Sequence, residues 1–139
     1  MSVHDMDSAR WLAGDVEEVR AFGDDSTAVI VLRFASGALG VIDNTRVAGY
    51  GFECSAEVMG SRATLRIATP ASGVEQLTAQ GHLAGLPADH IECHAVAYLE
   101  ELRHFVDCVA SGSAPRVGAS DALAALSLAL EAERSCVRP

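Results

Sequence analysis

The sequence predicts an α+β domain in which helices pack on one face of a mostly antiparallel sheet of about six strands. Three observations support this fold class. The first part of the 139-residue chain contains short segments of β-branched or alternating hydrophobic residues, separated by turn residues. The last part contains longer segments whose hydrophobic residues recur at helical spacing. The turns between the strand segments are short, which favours consecutive antiparallel pairing of the strands.

A short helix comes first, over residues 5–13, because hydrophobic residues recur near helical spacing there and Gly14 follows. The strand segments come next in the chain, at residues 16–22, 28–34, 39–45, 52–58, 63–69 and 73–78. Gly37 lies in the turn between the second and third of these segments, which predicts a β-hairpin. We expect the six segments to pair in the order in which they occur.

Two predicted helices follow the strands in the last part of the chain. The first begins near Ile91 and stops at Gly112, and five hydrophobic residues form a stripe along it: Ala95, Leu99, Leu102, Val106 and Val109. The second begins near Ser120, which is a plausible N-cap, with Asp121 in its first turn. It runs to Arg134 and carries Leu123, Leu126 and Leu130 along one side. These stripes are the faces that we expect to pack on the sheet.

The second strand is hydrophobic on both faces. Ile30, Leu32 and Phe34 point to one side, whereas Val29 and Val31 point to the other. Helices of this chain can cover only one of these faces. Because large exposed hydrophobic patches are uncommon on monomers, we expect another subunit or domain to bury the second face.

Composition excludes several classes of function. The net charge is −9, and all ten basic residues are arginines spread singly along the chain, so a nucleic-acid surface is not expected. The absence of lysine excludes Schiff-base chemistry and a P-loop within this chain. Hydrophobic runs are far shorter than a membrane span, which requires about 20 residues. The chain therefore reads as one soluble, cytoplasmic domain over residues 1–139, without membrane or nucleic-acid partners.

Three groups of residues could carry chemistry. His4 precedes the first helix and could exchange a proton with a hydroxyl group, with Asp5 capping the helix or orienting the ring; a solvated histidine in a frayed terminus is the alternative. Asn44 and Arg46, with Tyr50, follow a strand and could bind hydroxyl or carboxylate groups, unless they form only a charged turn.

The third group is His90, Cys93 and His94, which could ligate a metal from one side of a helix. Their spacing matches no standard zinc pattern, however, and the sequence supplies no fixed fourth ligand. We therefore expect no metal site. A glycine-rich dinucleotide fingerprint is also absent, because no helix follows the glycines near residues 37–51.

Several segments together resemble a known family. They are VHDMDSARWL at 3–12, LRFASGALGVIDNTR at 32–46, EVMGS at 57–61, YLEELRHFVD at 98–107 and VGASDALAAL at 117–126. In this order they resemble the C-terminal half of the glucose-fructose oxidoreductase/inositol dehydrogenase (Gfo/Idh/MocA) family. The resemblance covers nearly the whole chain.

The resemblance implies an NAD- or NADP-dependent oxidoreductase that acts on a cyclic polyol or sugar and has an N-terminal Rossmann domain, absent from this chain. It implies that His4 assists proton transfer from the substrate hydroxyl, supported by an aspartate whose position would precede Met1. It places Asn44, Arg46 and Tyr50 near the substrate. It also implies a homodimer or tetramer joined through the open sheet face. This chain alone would then bind no cofactor and be inactive.

A second function remains open from the sequence. The chain could be a free-standing module that dimerises or binds a small ligand without catalysis. Cys93 and His94 depart from the arginine and tyrosine that relatives often carry at these positions, so the substrate class is not assigned beyond a polyol or sugar.

Overall fold

The computed structural model describes residues 2–49, 51–67, 77–78, 81–82 and 89–137. The chain divides into two compact units, the first formed by Met1–Val47 and Ala114–Pro139 and the second by Ala48–Ser113. Each unit is therefore described by itself, and the prediction of one domain over residues 1–139 stays a prediction.

The described residues form three helices and seven strands, two of which contain only two residues. The helices are α1 (Val3–Ala13), α2 (His90–Ser111) and α3 (Ala119–Ser135). The strands are β1 (Val16–Gly23), β2 (Thr27–Phe34), β3 (Leu39–Thr45), β4 (Ala56–Met59), β5 (Thr64–Ile67), β6 (Leu77–Thr78) and β7 (Gly81–His82). This content confirms the α+β class. In the described ranges, no helix combines the length and hydropathy needed to cross a membrane.

The strands pair antiparallel in three separate sheets within the described residues. In the first unit β2 lies between β1 and β3, with Ile30 opposite both Ala21 and Ile42. In the second unit β4 pairs with β5, and β6 pairs with β7. The hairpin of β2 and β3 is confirmed, but a single sheet of about six strands is not. Strand β4 also begins at Ala56, four residues later than predicted, and residues 68–69 and 73–76 of the last two predicted strands lie outside the described ranges.

The core of the first unit lies between the sheet and helices α1 and α3. Alternate residues of β1 and β2 form the sheet side of this core, and these are Val19, Ala21, Ile30, Leu32 and Phe34. Met6 of α1 and Ala125 and Ala132 of α3 cover them, and all eight residues are buried. These helices cover one face of the sheet, as predicted.

Helix α3 packs through a different face from the one predicted. Leu123, Leu126 and Leu130 are exposed, whereas the alanine side of the helix contacts the sheet. The small alanine side chains let the helix backbone come close to the β-sheet, so the leucine stripe is left outside. The predicted N-cap is also wrong, because the helix begins after Gly118, whose N–H donates to Asp121 Oδ2 over 2.9 Å.

The other face of the sheet is open in the described structure. Val29 and Val31 are exposed there, as expected from a strand with two hydrophobic faces. The register of the sheet places Phe22 of β1 opposite Val29, and Val41 of β3 opposite Val31. Phe22 and Val41 are exposed as well. We call these four residues, together with the exposed Leu39, the open face.

Helix α2 dominates the second unit. Asp89 caps its start, because Asp89 Oδ1 accepts hydrogen bonds from the N–H groups of Ile91 (2.9 Å) and Glu92 (3.0 Å). Gly112 ends it in the left-handed conformation, with φ 67°, in agreement with the predicted stop. His94 has non-helical backbone angles, which kink the helix.

The predicted packing face of α2 is wrong. Its stripe residues are all exposed, and Cys108 is the buried residue of this helix. Apolar residues such as Ile91 and Phe105 are also exposed outside the stripe. Helical periodicity predicted the helix itself, but it did not determine whether a second layer covers its apolar stripe.

Candidate functional site

The end of strand β3 meets the first turn of helix α1 through Asn44. Asn44 is half-buried and lies two residues from Ile42, on the side of the strand that faces the core. Its Nδ2 donates one hydrogen bond to Ser2 Oγ, over 2.9 Å, and another to Asp5 Oδ2, over 3.0 Å. The contact joins residues that are about forty positions apart in the sequence.

The carbonyl oxygen of Asn44 is the other polar atom of this contact. Asn44 Oδ1 is buried and has no hydrogen-bond partner in the described part of the chain. Leaving such an acceptor unpaired costs about 1–3 kcal/mol, so other interactions must fix the orientation of the amide.

His4 lies in the same helical turn, between the two residues that contact Asn44. Its side chain is exposed, whereas Ser2 and Met6 are buried. His4 shares the outer side of α1 with Trp11, which is 84% exposed. An imidazole placed this way is ordered by its helix but remains accessible to a ligand, which suits a group that exchanges a proton.

The expected capping role of Asp5 is not found. The N-cap of α1 is Ser2, and its side chain makes no capping hydrogen bond. Asp5 lies in the first turn, where a negative charge is favourable near the helix N-terminus. Its carboxylate accepts the Asn44 bond instead.

Arg46 and Tyr50 complete the candidate residues. Arg46 is exposed just beyond β3, and its backbone N–H donates to the carbonyl of Ser26 over 2.8 Å. Tyr50 lies outside the described residues. The structure thus brings Asn44 to the helical turn that carries His4, and the roles of His4, Asn44, Arg46 and Tyr50 stay predictions.

The histidines of α2 form an aromatic cluster. The Phe52 ring lies 5.5 Å from the His94 ring in an edge-on arrangement and 6.2 Å from the His90 ring. Tyr98 follows, with its ring 6.4 Å from that of His94. Within the residues described, no group of three histidine, cysteine or acidic side chains could hold a metal ion.

Sequence reasoning placed His90 and His94 on one side of a helix, but it missed the aromatic contacts of this pair and the bond from Asn44 to α1. Tyr98 lies four residues beyond His94, so helical spacing alone could have added it to that side of α2. Phe52 joins them from outside the helix, and no local pattern indicated that contact. The bond from Asn44 to α1 likewise had no signal in the sequence, since it joins distant segments.

A dinucleotide site of the glycine-rich type does not fit the described residues. Such a site needs a parallel strand that leads through a glycine-rich turn into a helix, whose N-terminus binds the pyrophosphate. Here β1 to β7 pair antiparallel, the one parallel pairing in the described ranges is the isolated bridge from Phe22 to Val137, and β1, β2 and β4 are each followed by another strand of their own sheet. That this chain by itself binds no cofactor stays a prediction.

Known proteins resemble this chain along most of its length. Residues 1–66 match the family described as GFO/IDH/MocA C-terminal domain. A myo-inositol 2-dehydrogenase of Thermotoga maritima is 39% identical over 97% of this chain and 45% of its own length. A scyllo-inositol 2-dehydrogenase (NAD(+)) of Bacillus subtilis is 32% identical over 96% of this chain and 43% of its own length. The chain thus spans less than half the length of these relatives.

Solved structures show the same fold. The crystal structure of a probable dehydrogenase from Thermotoga maritima superposes with a TM-score of 0.83 at 39% identity, covering 98% of this chain and 46% of that one. A myo-inositol dehydrogenase from Corynebacterium glutamicum gives a TM-score of 0.84 at 25% identity, covering 98% of this chain and 45% of that one.

Proposed function

This chain belongs to the GFO/IDH/MocA family as its C-terminal domain, and from that membership we propose that it is the substrate-binding and oligomerisation half of an NAD- or NADP-dependent oxidoreductase. The substrate is a cyclic polyol or sugar, and an inositol fits the proposal best. The observation that carries it is the similarity to two inositol dehydrogenases over 96–97% of this chain.

In the proposed reaction, one hydroxyl group of the substrate becomes a ketone. The hydroxyl O–H bond would break and its proton would pass to the imidazole of His4, and a bound nicotinamide would supply the acceptor for the hydride of the C–H bond on the same carbon. A separate nucleotide-binding domain would hold the nicotinamide. The exposed position of His4 on α1 supports its part, since a substrate can approach the ring from outside this unit.

Arg46 and Tyr50 are proposed to bind the substrate hydroxyls. A guanidinium has several donors in a planar arrangement, and a phenol can both donate and accept. Arg46 is exposed at the end of the strand whose Asn44 contacts the turn of His4, which supports its placement near the substrate.

The first experiment mixes the chain with NAD, NADP and a panel of cyclitols. Absorbance of the reduced cofactor should stay at background, and turnover by this chain alone would overturn the proposal that it is one half of an enzyme. In the same samples, myo-inositol should shift the NMR signals of the first turn of α1.

Matched variants test the proposed binding residues. Arg46→Ala should weaken the inositol-dependent shifts several-fold, whereas Arg66→Ala, in β5 of the second unit, should leave them unchanged. If no cyclitol perturbs α1, the chain binds no such substrate by itself, which would favour the non-catalytic module.

The open face is proposed to join copies of the chain into a homodimer or tetramer. Two of its exposed hydrophobic side chains, Val29 and Val31, lie on the central strand β2, and burying such surface is worth about 25 cal/mol per Å², which favours association. Val31→Arg should convert the assembly to monomers in sedimentation experiments. Leu102→Arg, on the exposed stripe of α2, is the control that should not. A wild-type monomer at micromolar concentration would contradict the interface.

A further inference from the structure

We infer that Asn44 is a positioning residue, which holds the first turn of α1, and with it His4, against the end of β3. The inference rests on the proposed role of His4 and deepens it. It also changes the part expected of Asn44, from a residue that binds substrate to one that acts through the helix.

The hydrogen-bonding capacity of Asn44 supports this assignment. An asparagine side chain has two N–H donors, both on Nδ2. Here Nδ2 donates to Ser2 Oγ and to Asp5 Oδ2, so both donors are used within the unit. No donor of Asn44 remains for a substrate hydroxyl, and its carbonyl oxygen is buried from solvent.

Asp5 fixes which way the amide points. An ionised carboxylate accepts hydrogen bonds and cannot donate them. Rotating the amide by half a turn would place Asn44 Oδ1 against Asp5 Oδ2, so that two acceptors would face each other. The bond to Asp5 is charge-assisted, which makes it stronger than a neutral one and explains why the carbonyl stays unpaired.

Three contacts then hold the first turn of α1. Ser2 and Asp5 are bound through Asn44, and the fully buried Met6 inserts into the core. The N–H of Met6 donates to the carbonyl of Ser2 over 2.9 Å, which closes the turn. His4 lies inside this closed turn, so its outward direction follows from the residues on either side.

The test uses hydrogen exchange on the whole 139-residue chain. In Asn44→Ala, we expect the Met6 amide to exchange at least ten times faster (about 1.4 kcal/mol), and the His4 ring protons to change chemical shift. The Ile42 amide of β3 should keep its protection, because the sheet is not altered. Unchanged exchange at Met6 would overturn the inference.

Thr45→Val is the matched control. Thr45 is the next residue of β3, and its Oγ1 lies 2.8 Å from Thr27 Oγ1 on the opposite side of the strand. This variant also removes a side-chain hydrogen bond at the strand end, yet it should leave the Met6 amide and the His4 ring as in the wild type. An equal effect of both variants would show that the strand end in general, and not Asn44, orders the turn.

The pH dependence of hydrogen exchange in Asn44→Asp distinguishes loss of the amide donors from general destabilisation of the unit. At neutral pH the introduced carboxylate repels Asp5, and the turn should open. The charge of Asp5 raises the pKa of the introduced carboxyl above its usual value of about 4, so on acidification this group is protonated and can donate one hydrogen bond, and protection of Met6 should partly return. The alanine variant should show no such recovery, and recovery in both variants would contradict the role of the amide donors.

Adding myo-inositol separates this inference from the proposed function. If the wild-type chain responds at His4 and Asn44→Ala does not, the turn positions His4 for the ligand. If the wild type does not respond to inositol, the proposed function fails, while the exchange data without ligand still decide whether Asn44 holds the turn.

Discussion

The two units of this chain use similar sequence patterns with different results. In the first unit, the alternating residues of β1 and β2 are buried beneath α1 and α3. In the second unit, β4 and β5 pair in register, but every residue of β5 is exposed. Among the residues whose burial is described, Cys108 is the buried hydrophobic residue of the second unit, against eight in the first. A two-stranded sheet without a second layer is marginally stable, so the first unit carries most of the described core.

The largest expected effect comes from matched truncations in the two units. Leu32→Ala, at a side chain with 0% exposure in β2, should lower the free energy of unfolding by about 2–5 kcal/mol, because it leaves a cavity. Leu65→Ala, at a side chain with 68% exposure in β5, should change it by less than about 0.5 kcal/mol. Urea denaturation measures both. Equal losses would show that the core of the second unit contributes as much to the free energy of unfolding as the core of the first.

Removing the N-cap of α2 should have an intermediate effect on the free energy of unfolding. It tests whether the helix of the second unit depends on local interactions. Asp89→Ala removes the acceptor for two backbone N–H groups and should cost about 0.5–2 kcal/mol. Faster hydrogen exchange at Ile91 and Glu92 would report it. Asp107→Ala, at an exposed position within the same helix, is the control that should leave this exchange unchanged. Insensitivity to the loss of Asp89 would mean that tertiary contacts hold the helix start.

Surface ion pairs should give the smallest effect. Arg33 of β2 contacts Glu17 and Glu18 of β1, and its hydrogen bonds to Glu18 and then Glu17 raise its pKa above the ordinary value. A raised arginine pKa means that its contribution is fully present at neutral pH and is lost only in strong alkali. Arg33→Gln should therefore lower Tm slightly, and added salt should reduce the difference. Arg103→Gln, which removes one pair within α2, should have a smaller effect still. A large loss that salt does not reduce would contradict this account.

The first unit was largely predictable because its signals are local. The β-branched run of β2, the turn at Gly37 and the hairpin to β3 all depend on neighbouring residues, and the structure places each as expected. The faces of the helices were not predictable in the same way. Helical spacing predicts Leu126 on the packing side of α3, yet Ala125 is buried, because close approach of α3 to the sheet selects small side chains.

The candidate site also combines residues that local sequence identifies with contacts that depend on the fold. His4 could be recognised from its segment, and its chemistry as a proton acceptor follows from the residue type. The partners of Asn44 could not, since a hydrogen bond between β3 and α1 depends on how the chain folds back. The two donors of Asn44 carry our inference that it positions the turn, while the roles of His4, Asn44, Arg46 and Tyr50 all stay predictions.

By itself the sequence determined the α+β class, the order of the helices and of the first five strands, the two-sided strand β2 and the family. These depend on periodicity, turn residues and short motifs, all of which are properties of neighbouring residues. Only the tertiary structure decided which side of α3 meets the sheet and which atoms hold the turn of His4. Such choices depend on packing distances and donor geometry between distant segments, and these distances exist only in the folded chain.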